Sequence, residues 1–176
     1  MLDDLYIVTG ESDGSIKLLK IDDNMDLVLV KKFDKIHQNF VSSISATKNG
    51  STLVSSSSDG NLVVWNNVLS QAVTSDPQND FIVSHQVISK AHEGTIWCCT
   101  FGKKDWFVYS TGADMALKQW YLRPDKTLEM KSCLMGQHRA ELYSIAINED
   151  NTMAFTVGVD KKIAIWDIEG EMVNSN

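Results

Sequence analysis

The sequence predicts an all-β fold: a row of four-stranded antiparallel sheets, each formed by one copy of an internal repeat. Three observations carry this expectation. One short phrase occurs four times, as DGSIKLLK, DGNLVVWN, DMALKQWY and DKKIAIWD, starting at Asp13, Asp59, Asp114 and Asp160 with intervals of 46, 55 and 46 residues. Three copies have a histidine 22 residues upstream (His37, His92, His138) and a tryptophan six residues downstream (Trp65, Trp120, Trp166). No helical apolar period persists, whereas short β-branched or aromatic segments recur roughly every ten residues. Self-similarity at this period marks stacked repeat units.

The elements follow in chain order. The first unit reads LYIVTG, a turn at Asp13-Gly14, SIKLLKI and LVLVKKF. The second reads FVSSISAT, STLVSSSS, a turn at Asp59-Gly60, NLVVWN and FIVSHQV. The third reads TIWCCTF, FVYSTG, ALKQWYL and TLEMKSCL, and the fourth ELYSIAI, MAFTVG and KIAIWDI. Each central pair is a hairpin, with Asp-Gly turn chemistry in two cases. Four short strands per repeat of this length point to the blades of a propeller rather than to a sandwich. A single domain over residues 1–176 is expected, with blades at 5–33, 40–87, 95–134 and 141–176. The longer middle interval comes from an insert, NNVLSQAVTSDPQND at 66–80, whose Ser, Asp, Pro and Asn make it a surface loop.

Composition excludes several classes. The net charge is −7, and the doublets Lys31-Lys32, Lys103-Lys104 and Lys161-Lys162 are scattered, which argues against a nucleic-acid surface. No apolar run is long enough to cross a bilayer, so no membrane association is expected. The acidic start MLDDLYIVTG does not read as a secretory signal. Three cysteines, Cys98, Cys99 and Cys133, lack metal or redox spacing and fit a reducing cytoplasmic or nuclear setting. No cofactor or metal site is expected.

The pattern of histidine, aspartate turn and terminal tryptophan resembles the WD-repeat β-propeller family over nearly the whole chain. There are departures. Ile36, Ala91 and Gln137 precede the histidines instead of glycine, and only Trp166-Asp167 spells the eponymous pair. The resemblance implies buried hydrogen-bond sets of Trp, hydroxyl, His and Asp. They would be His37-Ser55-Asp59-Trp65, His92-Ser110-Asp114-Trp120 and His138-Thr156-Asp160-Trp166. The first unit keeps only Thr9 and Asp13, with Leu19 in place of the tryptophan. Family propellers usually have about seven or eight blades. The first unit here starts at a second strand and the last ends after a third, so an incomplete ring is expected. Its missing blades would come from a longer chain, a second subunit or a homodimer.

The resemblance also places partner contacts on the loop face. Phe40, Ser42 and Ser58, then Thr95, Trp97 and Ala113, then Glu141, Tyr143 and Val159, occupy the partner-facing positions, with Ser12 the equivalent in the first unit. Three aromatics stand among them, and such side chains are enriched at interfaces. Glu141 would offer a negative point to a Lys or Arg. The expected function is thus a non-catalytic scaffold for a protein or peptide. Ser, His and Asp also form hydrolase triads. Here, however, the constellation repeats three times in register, and no G-x-S-x-G is present. His85 lies outside the sets in an expected outer strand and reads as solvated or packed. The alternative is a propeller hydrolase: KAHEGTIWCCTF resembles the diphthamide-pathway esterases, and equally scaffold subunits of RNA-decay complexes. A phosphoinositide-binding propeller is disfavoured, because Arg123 and Arg139 stand alone.

Overall fold

The computed structural model describes residues 5–33, 35–68 and 84–168. The insert beyond residue 68, the start of the FIVSHQV segment and the tail from residue 169 lie outside the described residues. Fourteen strands are found among the described residues: β1 Leu5–Gly10, β2 Ile16–Ile21, β3 Leu27–Phe33, β4 Val41–Ala46, β5 Thr52–Ser57, β6 Leu62–Asn66, β7 Ser84–Ile88, β8 Ile96–Phe101, β9 Phe107–Gly112, β10 Leu117–Leu122, β11 Leu128–Leu134, β12 Leu142–Ile147, β13 Met153–Gly158 and β14 Ile163–Asp167. They form four antiparallel sheets in chain order, β1-β2-β3, β4-β5-β6-β7, β8-β9-β10-β11 and β12-β13-β14. These are the blades of an incomplete β-propeller.

Adjacent sheets pack face to face and share three apolar layers. Ile16, Leu18 and Phe33 of the first sheet meet Leu53, Val63 and Trp65 of the second. Val54, Leu62 and Val64 on its other face meet Ile96, Cys99, Val108 and Trp120 of the third. Tyr109 and Leu117 meet Ile145, Ala154, Ala164 and Trp166 of the fourth. The second sheet is thereby covered on both sides, which is why β5 is buried along its whole length and why LVVW reads as an unbroken apolar run. Burial in β14 alternates instead: Ala164 and Trp166 face the third sheet, whereas Ile163 and Ile165 are 73% and 60% exposed. Leu5, Leu27 and Leu29 of the first sheet are likewise open to solvent.

Hydroxyls on the inner strand β4 tie the second sheet to the third. Ser43 Oγ donates to the Cys99 carbonyl at 3.1 Å, and the Phe101 N–H donates to Ser45 Oγ at 3.0 Å. Cys99 sits in this layer, and burial pushes its thiol up to about 12, so it packs as a small apolar group.

All four aspartate turns share one backbone shape. The residue after the aspartate is left-handed in every unit: Gly14 at φ 87°, Gly60 at 81°, Met115 at 62° and Lys161 at 62°. Its N–H closes the turn onto the carbonyl three residues back, as from Gly60 to Ser57 and from Lys161 to Gly158. A Cβ on Gly14 would lie 2.3 Å from the His37 carbonyl oxygen, so close approach of the neighbouring loop adds a second reason for glycine there. Met115 and Lys161 hold the same conformation at a steric cost of about 1–2 kcal/mol each. That the turn persists without glycine shows that it is imposed by the hydrogen bonds around the aspartate.

Candidate functional site

The loop end of the sheets is organised by three buried relays. In the third sheet Trp120 Nε1–H donates to Ser110 Oγ at 2.9 Å, Ser110 lies 2.7 Å from His92 Nε2, and His92 Nδ1 lies 2.7 Å from Asp114 Oδ1. The fourth sheet repeats the set: Trp166 to Thr156 at 2.7 Å, Thr156 to His138 at 2.8 Å, and His138 to Asp160 at 2.9 Å. In the second, Trp65 and His37 meet Ser55 at 2.9 and 2.8 Å, but His37 Nδ1 stands 3.5 Å from Asp59 and has no hydrogen-bond partner. Donor logic assigns the protons. The carboxylate only accepts, so in a neutral imidazole the proton sits on Nδ1, and Nε2 accepts from the hydroxyl, which in turn accepts the indole N–H.

Each aspartate also fastens two stretches of backbone, a role the spacing alone did not reveal. One oxygen accepts the N–H two residues on (Asn61, Ala116, Lys162), and the other accepts the N–H after the histidine (Gln38, Glu93, Arg139). In the third sheet Lys118 Nζ adds an ion pair to Asp114 at 3.3 Å and a bond to the Ala91 carbonyl at 2.7 Å. The first unit differs. Asp13 binds the Ser15 N–H and hydroxyl instead, and Thr9 donates to Glu11. The Ser15 hydroxyl, with the Ser15 N–H, lowers the Asp13 carboxyl to about 2. The hydroxyls of Ser55, Ser110 and Thr156 are fully buried, so none presents a nucleophile to solvent. No cluster of metal-ligating side chains is found among the described residues.

Above these relays runs an aromatic row. The Phe40 and Trp97 ring centroids are 6.3 Å apart, and Trp97 and Tyr143 meet edge to face at 5.1 Å. Trp97 Nε1–H donates to Glu141 Oε2 at 2.8 Å, which spends on the row a carboxylate oxygen expected to await a partner. Phe40 and Trp97 are half-buried and Tyr143 is 50% exposed. The three side chains come from consecutive sheets and form one surface.

A repeated irregularity sets their aim. The inner strand skips one residue in its pairing in each of the second, third and fourth sheets: the register shifts between Val41 and Ser43, between Ile96 and Cys98, and between Leu142 and Ser144. The residues passed over are Ser42, Trp97 and Tyr143. A bulge redirects a side chain out of the sheet's alternation, and this one turns two aromatics toward the rim. Ser42 turns instead to the Ser56 hydroxyl and the Ile96 carbonyl. Backbone bonds join the remaining rim positions: the carbonyls of Phe40, Thr95 and Glu141 accept the N–H groups of Ser58, Ala113 and Val159. Val159 and Ser12 are exposed; Thr95, Ala113 and Ser58 are half-buried, and the Ser58 hydroxyl is buried without a partner. His85 stacks on Trp65 with centroids 5.6 Å apart, on an outer strand and away from the rim.

Comparison with known proteins agrees with this geometry. The family model described as WD domain, G-beta repeat matches residues 28–66 and 130–167. Each match runs from an outer strand through the next three strands. The chain is 25% identical over 169 residues to striatin-4 of Mus musculus, covering 91% of this chain and 22% of that protein. It is 26% identical over 164 residues to apoptotic protease-activating factor 1 of Rattus norvegicus, covering 93% of this chain and 11% of that protein. It is 28% identical over 134 residues to nuclear distribution protein PAC1 of Candida albicans, covering 74% of this chain and 24% of that protein. The chain thus spans less than a quarter of the length of each of these relatives.

Two outcomes test the relays. Asp114→Ala or Trp120→Phe leaves buried partners unsatisfied, at a cost of about 1–3 kcal/mol; thermal melting should show a clear loss for both. Asp13→Ala, which touches no relay, should lose less. Equal melting for all three and the parent would overturn the structural role.

The pH dependence has a defined sign. Burial pushes the imidazoles of His37 and His92 below the ordinary 6.5, despite their aspartates. An unfolded chain therefore takes up these protons first, and stability that is complete above pH 6.5 falls as pH drops below it. Burial alone would raise the Asp114 carboxyl, but the His92 hydrogen bond and charge, with the Glu93 N–H and Lys118, hold it below its ordinary 3.8. Its contribution is present above pH 3.8 and is lost on further acidification. Melting temperature measured from pH 7 to pH 3 should fall in two stages, the first beginning near pH 6.5.

The repeated relays, the bladed sheets and the matched segments lead to one conclusion: this chain carries WD repeats.

Proposed function

We propose that this chain is a non-catalytic interaction module that holds a peptide or folded protein against the Phe40–Trp97–Tyr143 row. The observation that carries this reading is the bulge shared by three inner strands, which leaves a contiguous aromatic surface on a rigid, hydrogen-bonded base. Large aromatics on a fixed base bind with little loss of conformational freedom. The matched WD repeats support a scaffold role, and the net charge of −7 favours protein over nucleic acid as partner. The unpaired cysteines fit a reducing compartment, the cytoplasm or nucleus. No helix among the described residues is long and apolar enough to cross a membrane.

Further blades, from a longer chain or a second subunit, complete the assembly in this reading. Its support is the exposed apolar side chains on the two end sheets: Leu5, Leu27 and Leu29 on one, Val157, Ile163 and Ile165 on the other. Such faces are sticky when bare.

Phe40→Ala, Trp97→Ala and Tyr143→Ala should each weaken partner capture while the melting curve stays close to the parent. A central anchor contributes on the order of 2 kcal/mol or more. Shortening the 66–80 insert should matter less. Normal binding by all three variants, with binding lost on shortening the insert, would move the functional face. Light scattering of the isolated chain at low micromolar concentration should show association or aggregation. A well-behaved compact monomer would remove the case for covering blades.

A further inference from the structure

The inner strand of the second sheet is less covered than those of the third and fourth, and the difference has the outline of a strand. Ile96, Cys99 and Phe101 of β8 are buried, as are Leu142 and Ile145 of β12. In both cases the inner strand of the preceding sheet lies alongside. The same positions of β4 are Val41, Ile44 and Ala46, of which the first two are half-buried and the last exposed. The preceding sheet there is the first. Its strand β1 pairs with β2 along one edge, and no strand among the described residues pairs with the other. The counterparts β5, β9 and β13 are each paired on both edges.

A groove runs along this free edge. Two adjoining hollows of about 310 and 260 Å³ are lined by Tyr6, Val8 and Gly10 of β1 and by Val41, Ile44 and Ala46 of β4. Close packing shuts the loop end of the groove. There the Val41 N–H donates to the Glu11 carbonyl at 3.1 Å, and a Cβ on Gly10 would lie 2.5 Å from Val41 Cγ1. The Ser12 N–H has no acceptor among the described residues, although the N–H groups of Ser58, Ala113 and Val159 each bond the carbonyl just before an inner strand.

The seams that are filled show what fits. Between the second and third sheets, β4 turns Ser43 and Ser45 toward β8. Ser43 Oγ donates to the Cys99 carbonyl, and Ser45 Oγ accepts the Phe101 N–H. At the next seam Cys98 of β8 packs in the layer that holds Ile145 of β12. The side chains turned to the next sheet are small, and hydroxyls among them bond the next inner strand's backbone.

We propose that the β1 edge is a strand-accepting site: an extended segment of a partner protein, with serine, threonine or cysteine at alternate positions, adds antiparallel to β1 as the innermost strand of the first sheet. Unpaired N–H and carbonyl groups along a sheet edge select an extended backbone, and the groove beside it selects the side chains. By the pattern of the filled seam, one hydroxyl of the segment donates to the Ile44 carbonyl and the hydroxyl two residues on accepts the Ala46 N–H. The site shares no residue with the aromatic row.

The probe is a fluorescein-labelled peptide with the sequence of residues 40–47, FVSSISAT, which carries small residues at the required spacing. Fluorescence anisotropy with the 176-residue chain should show saturable binding. A peptide with alternate backbone amides N-methylated should bind at least about tenfold more weakly, because main-chain hydrogen bonds carry the affinity in strand addition. Ser43→Leu together with Ser45→Leu in the peptide should weaken it similarly, by overfilling the groove. In the protein, Ala46→Arg changes an exposed side chain on the groove wall, so binding should be lost while melting is unaltered. Tyr143→Ala should bind the peptide like the parent, which separates this site from the rim. Amide exchange over residues 5–10 should slow when the peptide is added. Absence of binding, equal binding of the N-methylated peptide, or slowed exchange on β3 in place of β1 would overturn the proposal. So would protection of residues 5–10 that grows with the concentration of the free chain, which would assign the edge to a second copy.

Discussion

The structure depends on a buried chain of hydrogen bonds from an indole through a hydroxyl and an imidazole to a carboxylate. Its members lie on different segments: the hydroxyl on one central strand, the tryptophan on the next, the histidine in the preceding loop and the aspartate at the turn. In the third sheet all of these links measure 2.7–2.9 Å. Once buried, such groups have no water to fall back on, so the loop, the turn and both strands must keep one arrangement. The aspartate extends this control by accepting one N–H from its own turn and one from the loop. Met115 and Lys161 therefore hold a left-handed backbone that side chains ordinarily avoid.

A rigid loop end is what makes the rim usable. Trp97 spans from Phe40 to Tyr143 and anchors its indole on Glu141, so the aromatic row is ordered before any partner arrives. Its position follows from the skipped residue in each inner strand. The same skip carries Ser42 in the second sheet, where the hydroxyl bonds the neighbouring strand and the row reaches Phe40 instead. One repeated backbone device thus gives different surface chemistry in successive sheets, according to the residue placed on it. The opposite end carries none of the relays, and there Trp106 stands 62% exposed.

Sheet packing explains which parts of the pattern were readable. The strands were legible because β-branched and aromatic segments alternate with turn residues, and the resemblance to WD repeats pointed to the relay members. The apolar faces were less so. LVVW in β6 and IAIW in β14 look alike in sequence, yet the first is buried on both sides and the second on one, because the second sheet has neighbours on both faces and the fourth, among the described residues, on one. Trp106 and Trp97 were equally silent about exposure: an aromatic near a strand end carries no local sign of what will cover it.

By itself the sequence determined the repeat, the number and order of strands and the turn positions, because these rest on local spacing that recurs at fixed intervals, and its resemblance to WD repeats implied the residues of each relay. The tertiary structure decided the rest. It showed that His37 falls short of Asp59 while His92 and His138 reach their partners, since that gap depends on how one loop settles. It placed Trp97 on a bulge and bonded it to Glu141, a residue 44 positions away. It also linked the β4–β5, β8–β9 and β10–β11 turns beside Trp106. These are relations between segments far apart in the chain, set by sheet packing and strand register, and no local pattern encodes them.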